Sequence, residues 1–257
     1  MEKTNLGCYI DCECFNSIMY ADDLILMSIS IHQMQEMVDI CVKAFEAIGM
    51  NINIRKSGCI RIGERHNIAV QPIIIDNLPL SQVVEVRYLG IIILAARKFT
   101  FNLQNVKQKF FRALNGIFGK VGLNTSLDVL CSLIESQCVP ILLFAAESLK
   151  WSNKTLKSIE NAYNQVFFKI FQTFDKELVK QCQYNLGYLP MRLLLDVRKL
   201  NFLTKLNNMS HYVMHKLVSK TDDEYLDLCQ KYNFVMNPKC FNFKHVMWRY
   251  FESINDF

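Results

Sequence analysis

The chain has 257 residues, of which 51% are hydrophobic and 21% are charged, and its formal net charge is +5. This composition supports one large domain or two small ones with a buried core, and it excludes a low-complexity chain. The mild positive charge is compatible with a polyanionic partner without indicating one. Ten cysteines without regular spacing are typical of a reduced, intracellular protein.

We expect neither secretion nor membrane insertion. No apolar signal core follows the N-terminal residues, and the longest apolar run, residues 139–146, is too short to cross a bilayer. We therefore predict an intracellular location, in the nucleus or the cytoplasm. Because glycine and proline are scarce, any domain boundary is predicted to be packed rather than a flexible linker.

The first predicted element is a β-hairpin near the N-terminus. Two short apolar segments, residues 17–20 and 24–27, flank the sequence Ala21-Asp22-Asp23. This pattern predicts a hairpin with two carboxylates at its tip. Because aliphatic residues lie on both sides of the acids, we expect them to be the only polar tip of a buried hairpin.

A helix and several strands are predicted to follow. Residues 30–33 form a capping-box pattern, and apolar residues then recur at intervals of three and four as far as Gly49. This predicts an amphipathic helix with a glycine stop. Further extended segments are predicted at residues 50–54, 57–62, 73–75 and 83–94. Gly90 interrupts the last of them, and the N-terminal part is predicted to be α+β.

From residue 102 onward the patterns are helical. An apolar stripe over residues 106–121 predicts one helix, and its adjacent face carries Lys109, Arg112, Gly116 and Lys120. Further helices are predicted at residues 126–146, 156–174 and 191–217. The phenylalanines at 167 and 168 fall on an apolar stripe, so we interpret them as core residues rather than as a base-stacking platform.

The carboxylates of Asp22 and Asp23 are the residues that suggest chemistry. Two adjacent carboxylates form a hard oxygen site suited to Mg²⁺, which binds few protein carboxylates together with water and substrate phosphates. Nucleotidyl transfer uses such sites, with one ion activating the attacking 3′ oxygen and a second stabilising the leaving group. The pair alone is weak evidence, because aspartate is common in turns.

Three segments, taken together, give the pair a context. They are Gly7 through Asn16-Ser17-Ile18-Met19-Tyr20-Ala21-Asp22-Asp23-Leu24, then Gly49-Met50-Asn51-Ile52-Asn53-Ile54-Arg55-Lys56-Ser57, then Val86-Arg87-Tyr88-Leu89-Gly90-Ile91. In this order they resemble motifs of LINE-type (non-LTR) retrotransposon reverse transcriptases. The resemblance implies an α+β fold, with a partial polymerase palm of antiparallel strands plus a helix over residues 1–97. An all-α thumb over 98–186 and C-terminal helices over 187–257 would follow.

The resemblance also implies roles at the catalytic centre. Asp22 and Asp23 would be the catalytic carboxylates that hold Mg²⁺, and Lys56 would lie near the incoming deoxynucleoside triphosphate. The implied activity is RNA-directed DNA synthesis by a two-metal mechanism. Lys56 as a solvated cation at a strand end stays an open alternative.

Contacts with an RNA template and a DNA primer are implied as well. The residues assigned to nucleic-acid binding are Tyr20, the primer-grip residues Tyr88, Leu89 and Gly90, and the thumb cations Lys109, Arg112 and Lys120. Phosphate contacts from a basic thumb helix would track the backbone of the template and primer. A solvated surface face for these cations, and a plain strand core for the primer-grip residues, stay open alternatives.

We expect the isolated chain not to polymerise. The same family places a further metal aspartate on an earlier palm strand and the fingers earlier still, and too few residues precede Asp22 to contain them. The alternative function is a non-catalytic, retroelement-derived protein that binds nucleic acid or another partner through its basic helix.

Overall fold

The computed structural model describes residues 5–10, 12–122, 125–149, 151–209, 223–233 and 242–255. The chain folds as two compact units, the first ending at Leu103 and the second beginning at Gln104. Short antiparallel sheets and one α-helix form the described part of the first unit, whereas the second unit is helical. The fold class is therefore α+β, as predicted.

The N-terminal unit is built from small antiparallel pieces. Its strands are β1 (Cys8–Ile10), β2 (Glu13–Phe15), β3 (Ser17–Tyr20), β4 (Asp23–Leu26), β5 (Ile73–Ile75), β6 (Leu78–Leu80), β7 (Glu85–Tyr88), β8 (Ile91–Leu94) and β9 (Thr100–Phe101). The first six pair consecutively as three two-stranded ribbons, and the last three form one sheet with β8 in the centre. The hairpin predicted around the carboxylates is confirmed.

Two-residue turns close three of these hairpins. Ala21-Asp22 joins β3 to β4, Asp76-Asn77 joins β5 to β6, and Leu89-Gly90 joins β7 to β8. Left-handed backbone occurs in every turn, with φ values of 53° at Ala21, 48° and 62° at Asp76 and Asn77, and 45° and 87° at Leu89 and Gly90. Positive φ in such turns matches the right-handed twist of the flanking strands.

The helix α1 (Ile31–Glu46) follows the carboxylate hairpin and has the predicted start and stop. The hydroxyl of Ser30 accepts a hydrogen bond from the N–H of Gln33 at 3.2 Å and so caps the first turn. Gly49 lies beyond the last turn at φ 73°. The buried face of α1 packs on β5 and forms a core that consists of Val38, Ile73, Ile75 and Leu80.

Gln35 binds the edge of β5 in the way that a further strand would. Its Nε2 donates a hydrogen bond to the carbonyl oxygen of Ile74 at 2.8 Å, and its Oε1 accepts one from the N–H of Ile74 at 2.7 Å. A carboxamide offers one donor and one acceptor side by side, so it satisfies both backbone groups of the edge residue. This contact stabilises the pairing of α1 with the β5–β6 ribbon.

Two of the predicted strands are wrong. Residues 50–53 have no regular structure, and Ile54–Lys56 form a single 3-10 turn instead. The side chain of Asn53 caps that turn, and a local bond of this kind competes with strand formation. Residues 57–62 form one isolated bridge, between Cys59 and Gln82, rather than a strand.

The second unit consists of helices. Those within the described residues are α2 (Gln104–Val121), α3 (Leu127–Gln137), α4 (Val139–Leu142), α5 (Asn153–Phe171), α6 (Lys176–Asn185), α7 (Met191–Asn207), α8 (223–231) and α9 (Phe243–Ser253). Helix α5 ends three residues before the predicted position, because Gln172 is left-handed at φ 50°. The predicted continuation of α7 over residues 210–217 lies outside the described residues.

Two groups of buried side chains hold these helices together. Phe110 and Leu114 are fully buried where α2 packs on α3, α4 and α5. Phe167 is also buried, as predicted, whereas Phe168 is half-buried and its ring lies 5.8 Å from that of Phe174. The core of α7, α8 and α9 consists of Leu189, Leu193, Leu200, Leu203, Tyr225, Cys229, Tyr232, Phe243, Met247 and Phe251.

Charged groups on α7 tie it to its neighbours. Arg192 binds Glu160 of α5 through two hydrogen bonds, of 2.5 and 3.1 Å. Asp196 accepts a hydrogen bond from Lys231 Nζ at 2.7 Å and another from the hydroxyl of Tyr232. Burial, followed by the neighbouring Asp196 carboxylate, raises the pKa of Tyr232. Both cations thus have carboxylate partners within the helical unit.

The segment Leu127–Ser148 is 22 residues long with a mean hydropathy of 1.9, which suits a membrane span by length and composition. The structure breaks it into separate pieces. Helix α3 stops before Pro140, which has no N–H to continue the helical bonding, and Ala145 is left-handed at φ 53°. With 44% of the segment buried inside the unit, we interpret it as a core segment.

Candidate functional site

The carboxylate hairpin places both acids at its tip. Tyr20 and Asp23 are the last paired residues of β3 and β4, and Ala21 and Asp22 form the turn between them. Asp22 is therefore a turn residue, whereas Asp23 is the first residue of a strand. Both are exposed, and neither carboxylate forms a hydrogen bond or an ion pair with any residue that the structure describes.

The expectation of a buried hairpin is wrong. The exposed fractions of Ile18, Met19 and Tyr20 are 50%, 58% and 65%. A two-stranded ribbon has no third strand to cover it, and only Leu26, at the end of β4, packs against the core beneath α1. The acids therefore lie at the tip of a hairpin whose first strand faces solvent.

Lys56 lies at the end of the 3-10 turn rather than at the end of a strand. Its backbone N–H donates to the side chain of Asn53 at 3.2 Å, and its own side chain is exposed. Ile54, in the same turn, packs against the core of the unit and so anchors it. No ion pair with either carboxylate of the hairpin occurs within the described ranges.

The predicted primer-grip residues form the end of a hairpin. Tyr88 is the last residue of β7, half-buried and paired with Ile91, and Leu89 and Gly90 are the turn. Leu89 and Gly90 therefore lie in a turn rather than in a strand core, whereas Tyr88 does lie in a strand. The leucine side chain is 43% exposed. A tight, exposed turn next to a half-buried tyrosine is open to a ligand.

The cationic face of α2 is present. Lys109, Arg112 and Lys120 are exposed together with Gly116, whose position has no heavy atom within 4 Å of an added Cβ. None of these three cations has a partner in the part of the chain that the structure describes. Lys107, on the same helix, differs because its Nζ donates to Ser158 Oγ of α5 at 2.9 Å. The free cations thus form a continuous face that is open to a polyanion.

Local contacts gather the candidate residues into separate groups. The carboxylates belong to one ribbon, the primer-grip residues belong to the sheet of β7, β8 and β9, and the cations belong to α2. Sequence reasoning missed a further group on the segment between β8 and β9. Arg97, Lys98 and Phe99 are all exposed there. Two cations next to an aromatic residue could be read from the sequence as a candidate nucleic-acid contact.

Among the described residues, no cluster of three or more metal-binding side chains surrounds Asp22 and Asp23. The two carboxylates suit a magnesium ion that keeps most of its water, but two acids are few for a pair of ions. The chain matches no protein-family model, no curated protein and no solved structure.

We expect substitutions at the two positions of the Leu89-Gly90 turn to have opposite effects on the stability of the β7–β8 hairpin. Gly90→Ala places a side chain at φ 87° and should weaken the β7–β8 hairpin by about 1 kcal/mol. Leu89→Gly removes a left-handed side-chain strain of about 1–2 kcal/mol. This exceeds the added unfolded-state entropy of roughly 0.5–1 kcal/mol.

Amide hydrogen exchange in β7 and β8 measures both effects. Exchange should become faster in Gly90→Ala and slower in Leu89→Gly. Unchanged exchange in both variants would contradict the turn geometry.

Proposed function

We propose that this chain is a palm and thumb portion of an RNA-directed DNA polymerase of the non-LTR retrotransposon type. The observation that carries the proposal is the carboxylate hairpin, in which Tyr20 pairs with Asp23 and Asp22 lies in the turn. A hairpin fixes two carboxylates on a rigid backbone next to each other. Exposure without a cationic partner leaves them free to bind a metal ion.

Two further features support the proposal. The Tyr88-Leu89-Gly90 segment forms a tight hairpin end in the same unit, and a helical unit with an exposed cationic face begins at Gln104. The order of these parts along the chain agrees with that of a polymerase palm and thumb. Lys56, on an anchored turn with an exposed side chain, suits a contact with a triphosphate.

Asp22 and Asp23 are the residues that would hold Mg²⁺. When bound, the ion stabilises negative charge on the triphosphate leaving group. The protein residues would position it: Asp23 from a strand with fixed register, and Asp22 from the turn. Two carboxylates on one hairpin make up only part of the oxygen donor set that two ions require, so we propose that the chain alone is inactive.

A primer–template end should be bound in preference to a blunt duplex. We expect an RNA–DNA hybrid with a recessed 3′ end to bind several-fold more tightly than a blunt hybrid of equal length, because the β7–β8 turn contacts the primer end. Fluorescence anisotropy measures both affinities. Tyr88→Ala should abolish the preference, and Tyr9→Ala, which removes an exposed tyrosine elsewhere in the same unit, should not. Equal affinity for both hybrids would contradict the polymerase proposal.

Primer extension should give no product with the purified chain. We expect none with either magnesium or manganese, because Asp22 and Asp23 supply only part of a two-metal site. The assay uses a labelled DNA primer on an RNA template with all four deoxynucleoside triphosphates. Template-dependent product that disappears in Asp22→Ala would show that the site is complete and that inactivity is wrong.

The free cationic face of α2 favours the second candidate function, a non-catalytic protein that binds nucleic acid. Lys109→Ala with Arg112→Ala should weaken binding of an RNA–DNA hybrid. The slope of log affinity against log salt should fall by about two, since each lost phosphate contact contributes about 0.9. Asp22→Ala should leave this affinity unchanged.

A matched control exists in the same unit. Lys154 and Lys157 are exposed on α5 with the same spacing of three residues, and their replacement by alanine removes the same total charge. We expect that double variant to keep the wild-type salt slope. An equal loss of affinity and an equal fall in salt slope in both double variants would mean that net charge, and not the α2 face, determines binding.

A further inference from the structure

An open cleft of about 700 Å³ lies in the N-terminal unit, and none of its lining residues was assigned to a site from the sequence. Gly63 and Glu64 line one side of it, and Ala96, Arg97, Lys98 and Thr100 line the other. The second side is the short segment between β8 and β9. The cleft therefore lies beside the connection between β8 and β9.

One backbone hydrogen bond joins the two sides of the cleft, and a second hydrogen bond lies within the side formed by residues 96–100. The N–H of Gly63 donates to the carbonyl oxygen of Ala96 at 3.0 Å. The hydroxyl of Thr100 donates to the carbonyl oxygen of Lys98 at 3.0 Å, and β9 then pairs with β8. Gly63 has φ 127°, a conformation that a residue with a side chain rarely adopts. The cleft is thus a defined part of the fold.

Its charge is predominantly positive. Arg97 forms an ion pair with Glu64 at 2.7 Å, and the two side chains are 73% and 79% exposed. A pair so exposed to water stabilises little, so a phosphate can replace the carboxylate at low cost. Lys98 is exposed and has no side-chain partner in the described part of the chain. Arg65 follows Glu64 and is exposed as well.

An exposed aromatic ring lies next to these cations. Phe99 does not itself line the cleft, but it lies between two residues that do, Lys98 and Thr100. Its side chain is 60% exposed, and its ring contacts no other aromatic ring among the residues described. Phe174 is 83% exposed, but its surroundings differ. Its ring lies 5.8 Å from the ring of Phe168 at a tilted angle, and the next residue, Asp175, is acidic. Exposed aromatic rings interleaved with cations are typical of surfaces that bind single-stranded nucleic acid.

We propose that this cleft and the exposed ring of Phe99 beside it bind a single-stranded segment of nucleic acid, with Arg97 and Lys98 contacting backbone phosphates and Phe99 stacking on a base. Single strands fit better than duplexes here, because only unpaired bases expose a face to the ring. The choice of nucleic acid as ligand rests on the proposed function, whereas the site itself is distinct from the carboxylate hairpin and from the α2 face. A nucleic-acid strand bound here would be unpaired where it contacts the N-terminal unit.

Binding of a fluorescent oligo(dT) of about fifteen nucleotides to the full chain tests the site. Phe99→Ala should weaken binding about tenfold, within the range expected for one base stacked on one ring. Lys98→Ala should lower the log–log salt slope by about 0.7, the contribution of one phosphate of a single strand. Glu64→Gln should tighten binding, because Arg97 loses its competing carboxylate.

The controls are matched by residue type and exposure. Phe174→Ala and Lys43→Ala change an exposed phenylalanine and an exposed lysine away from the cleft, and both should leave oligo(dT) affinity unchanged. Inorganic polyphosphate is the ligand without bases: Phe99→Ala should not alter its affinity. Circular dichroism and thermal unfolding verify that every variant stays folded.

The inference is overturned if Phe99→Ala and Glu64→Gln leave oligo(dT) binding at the wild-type level, or if Phe99→Ala weakens polyphosphate binding equally. Its failure is distinguishable from failure of the proposed function. If the wild-type chain shows no preference for the recessed end but binds oligo(dT) in a way that depends on Phe99, only the polymerase proposal is contradicted. A retained end preference with oligo(dT) binding that does not depend on Phe99 would contradict the cleft alone.

Discussion

The geometry of the candidate site depends on tight two-residue turns. Each turn fixes the register of its hairpin, and a slip of one residue would turn every side chain to the opposite face. In β3 and β4 the register places Asp23 opposite Tyr20, which leaves Asp22 in the turn. In β7 and β8 the same constraint places Leu89 and Gly90 at the tip. Both candidate groups therefore lie where the backbone reverses and is open to solvent.

Such short ribbons need support from elsewhere, because an isolated two-stranded hairpin is marginally stable in water. Helix α1 provides this support for β5 and β6 through buried aliphatic side chains and through the carboxamide of Gln35. The carboxylate hairpin receives less, since Leu26 is its contact with that core. A hairpin that is rigid in register but thinly covered suits a site that binds a further partner on its exposed side.

Cations divide into two groups that net charge does not distinguish. Arg192, Lys231 and Lys107 have partners within the helical unit and stabilise its packing. The exposed cations of α2 and of the segment between β8 and β9 are open to phosphates. The net charge of +5 counts both groups alike and so does not reveal which cations lack a partner.

The sequence by itself determined the local elements. Two short apolar segments around a polar turn specified the carboxylate hairpin. The capping pattern at Ser30 and the stop at Gly49 specified α1, and the spacing of apolar residues specified α2 with its cationic face. These depend on hydrogen bonds and side-chain spacing within a few residues, which a sequence pattern records directly.

Only the tertiary structure decided what those elements contact. Residues 50–54 alternate as a strand would, yet Ile52 and Ile54 pack against the core beneath α1 without forming a strand. The apolar residues of β3 suggest burial, yet no further strand of the described chain covers them. The cleft beside Phe99 depends on Gly63 reaching Ala96 across more than thirty intervening residues. Burial and long-range pairing depend on which segments meet in space, and a pattern of neighbouring residues does not contain that information.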